Sequence, residues 1–283
     1  MPQAEFARWE SRDTLIRLWS EVFGDSPETL KFFFDTVFSP DQTLTLSADG
    51  QIVSALYLLP ATFFDGTARK QAHYIYAAAT APAYRSRGYM DLLLQTAARV
   101  GEKRGDAYSI LLPSEESLYA FYAGKGYQTA FSERVQTVSR EPSREGLLRM
   151  ADLDEICAIR SGIEWCCAKD GVVLWSRAHV ALAQHFYRVY GGSVWTDGEA
   201  YAFCEPIENG TMLVRELFAK EGKTAHALIP KICASFSAQT YQFHLPEALS
   251  RGEGNLRHHG MLKPLGTAPF PKGASAYLGL ALE

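Results

Sequence analysis

The sequence predicts an α/β (α+β) protein that is built from two similar modules. Its 283 residues are about twice the length of a typical single domain. Each half shows two helical patterns followed by strands, a further helix and a further strand. Residues 140–146, which include Pro142 and Ser143, have the composition of a linker. We therefore divide the chain into residues 1–142 and 147–283 and infer a diverged duplication, with two unrelated α+β domains as the alternative.

In the first half, apolar spacing and turn residues locate the elements. Asp49-Gly50 lies between two β-rich runs and predicts a hairpin, because both turn residues must tolerate a positive φ. A second such pair, Asp65-Gly66, ends another strand. The predicted elements are helices at 14–23, 27–38, 88–104 and 115–123 and strands at 43–47, 51–59, 73–80, 107–112 and 127–139.

The second half shows the same order of elements. Asp197-Gly198 and Asn209-Gly210 separate its strands, again as turns that favour a positive φ. The predicted elements are helices at 152–161, 175–190 and 223–236 and strands at 211–219 and 241–245.

Composition excludes several classes of protein. The formal net charge of -4 gives no reason to expect nucleic-acid binding. No window approaches the ~18 consecutive apolar residues of a membrane-spanning helix, and the N-terminus lacks the pattern of a signal peptide. The cysteines are odd in number and form no Cys-x-x-Cys pair, so we expect no metal site, no disulfide framework and a cytoplasmic location. They are Cys157, Cys166, Cys167, Cys204 and Cys233.

A short basic loop separates strand 73–80 from the helix that begins near Gly88. The first N–H groups of a helix have no intrahelical partner, and the helix dipole adds positive potential, so a phosphate or pyrophosphate is the natural ligand there. Arg85 and Arg87 can add charge-assisted contacts, and Gly88 lets an anion approach the backbone closely. On these residues alone, a solvated basic loop is an equally good interpretation. The complete loop is Arg85, Ser86, Arg87, Gly88, Tyr89 and Met90.

Residues 76–93, which contain this loop, resemble the central motif of the GNAT (GCN5-related N-acetyltransferase) superfamily. The family's loop reads Gln/Arg-x-x-Gly-x-Gly/Ala after a strand that ends in x-x-Pro-x-Tyr. Pro82, Tyr84, Arg85 and Gly88 match that pattern, whereas Met90 stands where the family has glycine or alanine.

A second segment, residues 117–127, resembles the family's Phe-Tyr-x-x-x-Gly-Phe/Tyr motif and lies at the family's usual distance from the first. The resemblance implies tandem GNAT-like domains, each with a mixed central sheet flanked by helices. The group that the chain resembles most is the enhanced intracellular survival type of acetyltransferase, and we expect no counterpart of that group's third, sterol-carrier-like domain.

The resemblance also implies an activity. It implies an acyltransferase in which a primary amine of a small molecule directly attacks the thioester of acetyl-CoA, the cosubstrate. Backbone groups of Ala78, Ala79 and Thr80 would contact the acetyl and pantetheine portions, and the loop from Arg85 to Met90 would hold the pyrophosphate. Tyr122 would be the general acid for the departing thiolate, with a core aromatic as the alternative. Glu115, Glu116, His73 and a water chain all stay open as the base.

The second half is expected to shape the acceptor site rather than to bind coenzyme A. At its strand-to-helix joint the extended anion loop is missing, and Glu221 would repel a phosphate. Trp165, Trp175 and Trp195 are candidates for a cleft wall, although core packing is the simpler interpretation. A cysteine acyl-enzyme is not expected because the half with the loop has no cysteine, and His258-His259 is interpreted as exposed. A non-catalytic acyl-CoA sensor and a structural protein with a degenerate site are the alternative functions.

Overall fold

The computed structural model describes residues 3–139, 147–271 and 275–282, so the predicted linker lies outside the described residues. These ranges form two mixed β-sheets flanked by helices, as the sequence predicts. No helix within them is both long and apolar enough to cross a membrane.

The first sheet carries most of the elements of the first half. Its strands within the described ranges are β1 (Ala4–Phe6), β2 (Thr43–Ala48), β3 (Gln51–Phe64), β4 (Arg69–Thr80), β5 (Tyr108–Leu111), β6 (Gln128–Thr129), β9 (Val172–Leu174) and β15 (Met261–Pro264). They follow the order β1-β2-β3-β4-β5-β15-β6, and β9 pairs with β3. The accompanying helices are α1 (Arg12–Phe23), α2 (Pro27–Thr36), α3 (Tyr89–Arg104) and α4 (Glu116–Ala123).

The second sheet has a related arrangement. Its strands within the described ranges are β7 (Ser132–Ser139), β8 (Arg149–Met150), β10 (Ser193–Thr196), β11 (Ala200–Ile207), β12 (Thr211–Ala219), β13 (Thr240–Leu245) and β14 (Asn255–His258), in the order β14-β7-β13-β12-β11-β10-β8. The helices are α5 (Leu153–Arg160), α6 (Ile163–Cys166), α7 (Arg177–Val189) and α8 (Gly222–Ser235). Each sheet contains a parallel pair joined by a helix: β4-α3-β5 in the first and β12-α8-β13 in the second.

The predicted helix boundaries follow from local chemistry. The Ser26 hydroxyl accepts a hydrogen bond from Thr29 N at 3.1 Å, and Pro27 occupies the first position of α2. At the C-terminal end of α3, Lys103 and Arg104 precede Gly105, which ends the helix at φ 84°.

The prediction of one strand over residues 127–139 is wrong. The strand is interrupted at Ala130 and Phe131, whose amides both donate to the Gly260 carbonyl at 3.3 and 3.4 Å. The chain passes there from the first sheet into the second, so β6 and β7 belong to different sheets. In exchange, β15 from the second half lies between β5 and β6. The division at residues 142 and 147 stays a prediction, and both sheets draw strands from across it.

An apolar run at residues 277–282, called the C-terminal run below, lies between the two halves. Three of its carbonyls accept side-chain hydrogen bonds: Leu278 from Trp175 Nε1 at 2.7 Å, Leu280 from His179 Nε2 at 2.7 Å, and Leu282 from the Tyr74 hydroxyl at 3.0 Å. Tyr74 belongs to the first sheet, whereas Trp175 lies just before α7 and His179 lies within it. These hydrogen bonds hold the run between β4 and α7.

Candidate active site

The basic loop has the geometry of an anion site. After a short turn at Pro82–Tyr84, Ser86 and Gly88 adopt positive φ values of 61° and 76°. Gly88 is the N-cap of α3 and provides no side-chain hydrogen bond to the helix, so within the described residues no side chain caps the first N–H groups of α3. The loop is solvent-exposed, which leaves these groups accessible to a ligand.

The side chains of the loop are held by the loop itself. Arg85 Nε donates to the Thr80 carbonyl at 3.2 Å, and Arg87 donates to the Ala83 carbonyl at 3.0 Å. The Arg87 guanidinium also lies 4.9 Å from the centre of the Tyr84 ring. Both arginines therefore stay beside the helix start. The Tyr89 and Met90 side chains are partly buried and pack against the core.

A β-bulge interrupts β4 immediately before the loop. Leu56 of β3 faces two residues of β4, Ala77 and Ala78, and Ala77 has a positive φ of 45°. On the other side, β5 pairs with β4 only as far as Tyr74. Beyond that residue the two parallel strands separate, because no further ladder joins them. The gap leaves backbone polar groups of β4 available to a ligand.

A cavity of about 270 Å³ occupies this gap. Tyr122 enters it from α4, and Ala78 enters it from the bulge. Ala79 and Thr80 lie outside the lining: the Ala79 carbonyl accepts from Ser54 Oγ at 2.8 Å, and Thr80 Oγ1 is 2.7 Å from the same hydroxyl. The cavity is lined by Trp19, Phe23, Asp25, Tyr74, Ile75, Tyr76, Ala77, Ala78, Leu111, Leu112, Ser114, Leu118, Tyr122 and Leu282.

Tyr122 is both part of the core and part of the cavity wall. Its side chain is 9% exposed, and its ring centre lies 6.0 Å from that of Tyr127. Burial raises the pKa of its phenol above the usual value, so the hydroxyl keeps its proton at neutral pH. The sequence-predicted acid thus lines the same cavity as Ala78, one of the predicted contacts of the acetyl and pantetheine portions.

The base candidates from the sequence do not reach this cavity. Glu115 is the N-cap residue of α4, and its carboxylate accepts from Ser117 Oγ at 2.6 Å. Glu116 is exposed beside it. His73 is buried on β4 with Nδ1 2.8 Å from an Asp106 carboxylate oxygen. None of the three contributes to the cavity lining.

Asp25 is the carboxylate that sequence reasoning missed. It lies in the turn between α1 and α2 and lines the cavity together with Tyr122. Trp19 Nε1 donates to its Oδ2 at 2.6 Å, and the Tyr190 hydroxyl donates to its Oδ1. In the sequence Asp25 follows Gly24, a pattern typical of an ordinary helix end. No local signal distinguishes it, because Tyr190 and most residues that line the cavity with it come from distant parts of the chain.

A second cavity of about 100 Å³ adjoins the first, since Tyr76 and Leu282 line both. Its remaining wall comes from α7, the second sheet and the C-terminal run. The lining residues are Tyr76, Phe186, Tyr187, Tyr190, Glu205, Arg215, His244, His259, Gly279, Leu280, Ala281 and Leu282. A carboxylate, a guanidinium and two imidazoles therefore face a space next to the strand gap.

The histidines of the second cavity are held by a buried carboxylate. Glu133 Oε1 lies 2.9 Å from His244 Nδ1, 3.4 Å from His259 Nδ1 and 2.8 Å from the Arg257 guanidinium. Burial by itself raises the pKa of Glu133, but these neighbours outweigh it and lower the pKa to about 2. The interpretation of His258-His259 as exposed holds for His258 and is wrong for His259, which is buried beside Glu133.

The other candidates from the second half lie away from both cavities. Trp165 is 80% exposed on α6, Trp195 packs on Phe236, and Trp175 is buried against the C-terminal run. Among the described residues, no cysteine lines either cavity, and no group of three His, Cys, Asp or Glu side chains could hold a metal ion. At the second strand-to-helix joint, Glu221 is the N-cap of α8.

Part of the chain matches a known protein family. Residues 6–130 match the family described as acetyltransferase (GNAT) domain. No curated protein sequence matches the chain.

Several solved structures share the fold over most of the chain. A GCN5-related N-acetyltransferase from Kribbella flavida is 17% identical, with a TM-score of 0.71 over 93% of this chain and 70% of that one. Eis1 from Mycobacterium abscessus is 16% identical, with a TM-score of 0.70 over 93% of this chain and 73% of that one. A GCN5-related N-acetyltransferase from Anabaena variabilis ATCC 29413 is 15% identical, with a TM-score of 0.74 over 94% of this chain and 73% of that one. At these identities the likeness concerns the fold. The family match identifies residues 6–130 as a GNAT acetyltransferase domain.

Proposed function

We propose that this protein is an N-acetyltransferase that moves the acetyl group of acetyl-CoA to a primary amine of a small molecule by direct attack. One observation carries the proposal: the gap between β4 and β5 holds a protonated phenol, Tyr122, and a carboxylate, Asp25, in the same cavity. The uncapped start of α3 follows the same strand. A binding module would need the anion loop but would have no use for an acid and a base in the same cavity.

The first half would hold acetyl-CoA. The N–H groups at the start of α3, with Arg85 and Arg87 beside them, are suited to the pyrophosphate. Ala78, at the bulge, would face the acetyl and pantetheine portions, since β5 no longer pairs with β4 there. Acetyl-CoA supplies a thioester carbon that accepts the amine nitrogen and a thiolate that leaves.

Asp25 would receive the acceptor amine and take its proton. An amine that bonds to a carbonyl carbon becomes far more acidic, so a carboxylate suffices as the proton acceptor at that stage. Tyr122 would give its proton to the departing sulfur as the C–S bond breaks, and its raised pKa keeps that proton in place until then. Asp25 then loses a proton to water and Tyr122 regains one, so the net products are the amide and free coenzyme A.

The second half would complete the acceptor side. Its residues enclose the cavity that adjoins the strand gap through Tyr76 and Leu282. We therefore assign residues 1–142 to cosubstrate binding and residues 147–283 to shaping the acceptor site. The short joint at Glu221 supports the assignment of a single acetyl-CoA site to the first half.

Two measurements test this function. Incubation of the protein with acetyl-CoA and a panel of primary amines should release free thiol in an amine-dependent manner. Coenzyme A at ~100 times its dissociation constant should raise the free energy of unfolding by ~2.7 kcal/mol. Stabilisation without thiol release for any amine would favour a non-catalytic acyl-CoA sensor. Absence of both effects would contradict the cofactor assignment as well.

A further inference from the structure

The link between Tyr190 and Asp25 joins the two halves at the cavity. Tyr190 directly follows α7 of the second half, and Asp25 follows α1 of the first, 165 positions earlier. The Tyr190 hydroxyl donates to Asp25 Oδ1, while Trp19 Nε1 donates to Oδ2 at 2.6 Å. Asp25 lines the strand gap, and Tyr190 lines the adjoining cavity.

We propose that Tyr190 is a positioning residue. It would orient the Asp25 carboxylate, and that carboxylate would in turn hold the acceptor amine. The inference rests on the proposed function and extends it, because it assigns a defined catalytic contribution to the second half. Tyr190 would set the plane of the carboxylate that receives the amine.

The geometry gives the physical reason. A carboxylate oxygen can accept two hydrogen bonds, so one protein donor on each oxygen leaves further acceptor capacity for a ligand. With Trp19 alone, the Asp25 carboxylate could rotate about its Cβ–Cγ bond, since the terminal torsion of Asp is broad. A second donor on the other oxygen removes that freedom, and the remaining lone pairs then keep a fixed direction.

The chemistry of Tyr190 suits a permanent donor. Burial and the nearby Asp25 carboxylate raise the pKa of its phenol to about 12, so the hydroxyl remains protonated throughout the neutral range. The residue is also 48% exposed, so removal of its hydroxyl opens no large void in the core. A Tyr190→Phe substitution therefore tests the hydrogen bond with little disturbance of packing.

The experiment compares the steady-state kinetics of the full chain with those of Tyr190→Phe, Asp25→Asn and the double variant. The substrate is the amine that reacts fastest in a panel of an alkylamine, an arylalkylamine, an amino acid and a polyamine. Tyr190→Phe should lower kcat/KM for that amine about tenfold, as expected for a lost hydrogen bond to a charged group, and leave KM for acetyl-CoA unchanged. Asp25→Asn should lower kcat/KM for the amine at least as much. In the Asp25→Asn background, Tyr190→Phe should lower kcat/KM for the amine by a further factor of less than about two, because its effect passes through Asp25.

Each other outcome contradicts a specific step. Full activity of Tyr190→Phe overturns the inference and leaves the acetyltransferase proposal intact. An equal loss in the wild-type and Asp25→Asn backgrounds shows that Tyr190 acts by a different route, and it also overturns the inference. A rise in KM for acetyl-CoA assigns Tyr190 a general structural role instead. No thiol release by the wild-type protein with any amine contradicts the proposed function and this inference together.

Discussion

The Tyr74 hydroxyl donates a hydrogen bond to the backbone carbonyl of Leu282, 208 positions later in the chain, at 3.0 Å. Tyr74 is the last residue of β4 that pairs with β5, and the gap between the two strands begins after it. Both Tyr74 and Leu282 line the cavity that Tyr122 also lines. This contact brings the C-terminal run to the candidate active site. The shape of the acceptor side therefore depends on residues from both ends of the sequence.

Removal of the Tyr122 hydroxyl should impair chemistry without impairing cosubstrate binding. We expect Tyr122→Phe to lower kcat by about 10²- to 10⁴-fold, the usual contribution of a positioned general acid, with an unchanged Kd for acetyl-CoA. Thiol-release kinetics and calorimetric titration measure the two quantities. Tyr119→Phe is the matched control on the same helix, because the Tyr119 hydroxyl accepts from Gly260 N at 3.3 Å and does not line the cavity. Equal activity of the two variants would refute the acid role.

The left-handed conformation of Gly88 should be required for phosphate binding. A Cβ at Gly88 would meet no atom within 4 Å, but its φ of 76° strains any other residue by ~1–2 kcal/mol. We expect Gly88→Ala to shift the loop and raise the Kd for acetyl-CoA about five- to tenfold.

Gly105→Ala provides the control for backbone strain. Gly105 ends the same helix at a similar φ of 84°, at the end opposite to the loop. Both variants should lose similar thermal stability, whereas only Gly88→Ala should bind acetyl-CoA more weakly. A parallel loss of binding in the two variants would mean that helix integrity, rather than the loop, controls affinity.

The buried His179 should make stability depend on pH. Burial lowers its pKa from 6.5 to about 4, although the hydrogen bond to the Leu280 carbonyl opposes that shift. Between those values the unfolded chain takes up a proton that the folded protein does not. The free energy of unfolding should therefore fall as the pH drops below about 6.5, by about 2 kcal/mol at pH 5 from this residue.

Chemical denaturation of wild type and His179→Gln at pH 7.5 and at pH 5 measures this contribution. The glutamine amide does not titrate, so the stability advantage of the wild type should shrink as the pH falls. An advantage that stays constant between the two pH values would contradict the prediction.

The first half should not fold as a complete unit by itself. A chain that ends at residue 142 lacks β15, which pairs with both β5 and β6 and buries Met261 and Leu262. The unpaired edges of β5 and β6 would favour aggregation. We expect no cooperative thermal transition for this fragment. Cooperative unfolding together with coenzyme A binding would show instead that residues 1–142 form an independent domain.

Local patterns in the sequence determined most of the elements and the loop. The hairpin at Asp49-Gly50, the cap at Ser26 and the end of α3 at Gly105 depend on neighbours within a few residues, so their chemistry is visible in the sequence. The same holds for the candidate anion site, because a helix start, a left-handed glycine and two arginines are contiguous. Tyr122 was predicted from its motif, and the structure places it in the cavity beside Ala78.

Tertiary structure alone decided the rest. Asp25 looks like a turn residue until folding brings Trp19 and Tyr190 to its two oxygens. The break at Ala130 has no local signal either, because the chain changes sheets there only when the distant Gly260 supplies a carbonyl. In both cases one decisive partner, Tyr190 or Gly260, lies far away in the sequence. Hydrophobic periodicity indicates that a face is buried, but it does not indicate which residues cover that face. The sequence by itself therefore determined the GNAT domain of residues 6–130, most of the elements and the local structure of the basic loop. The position of Asp25 in the candidate site and the exchange of strands followed from contacts that only the folded chain makes.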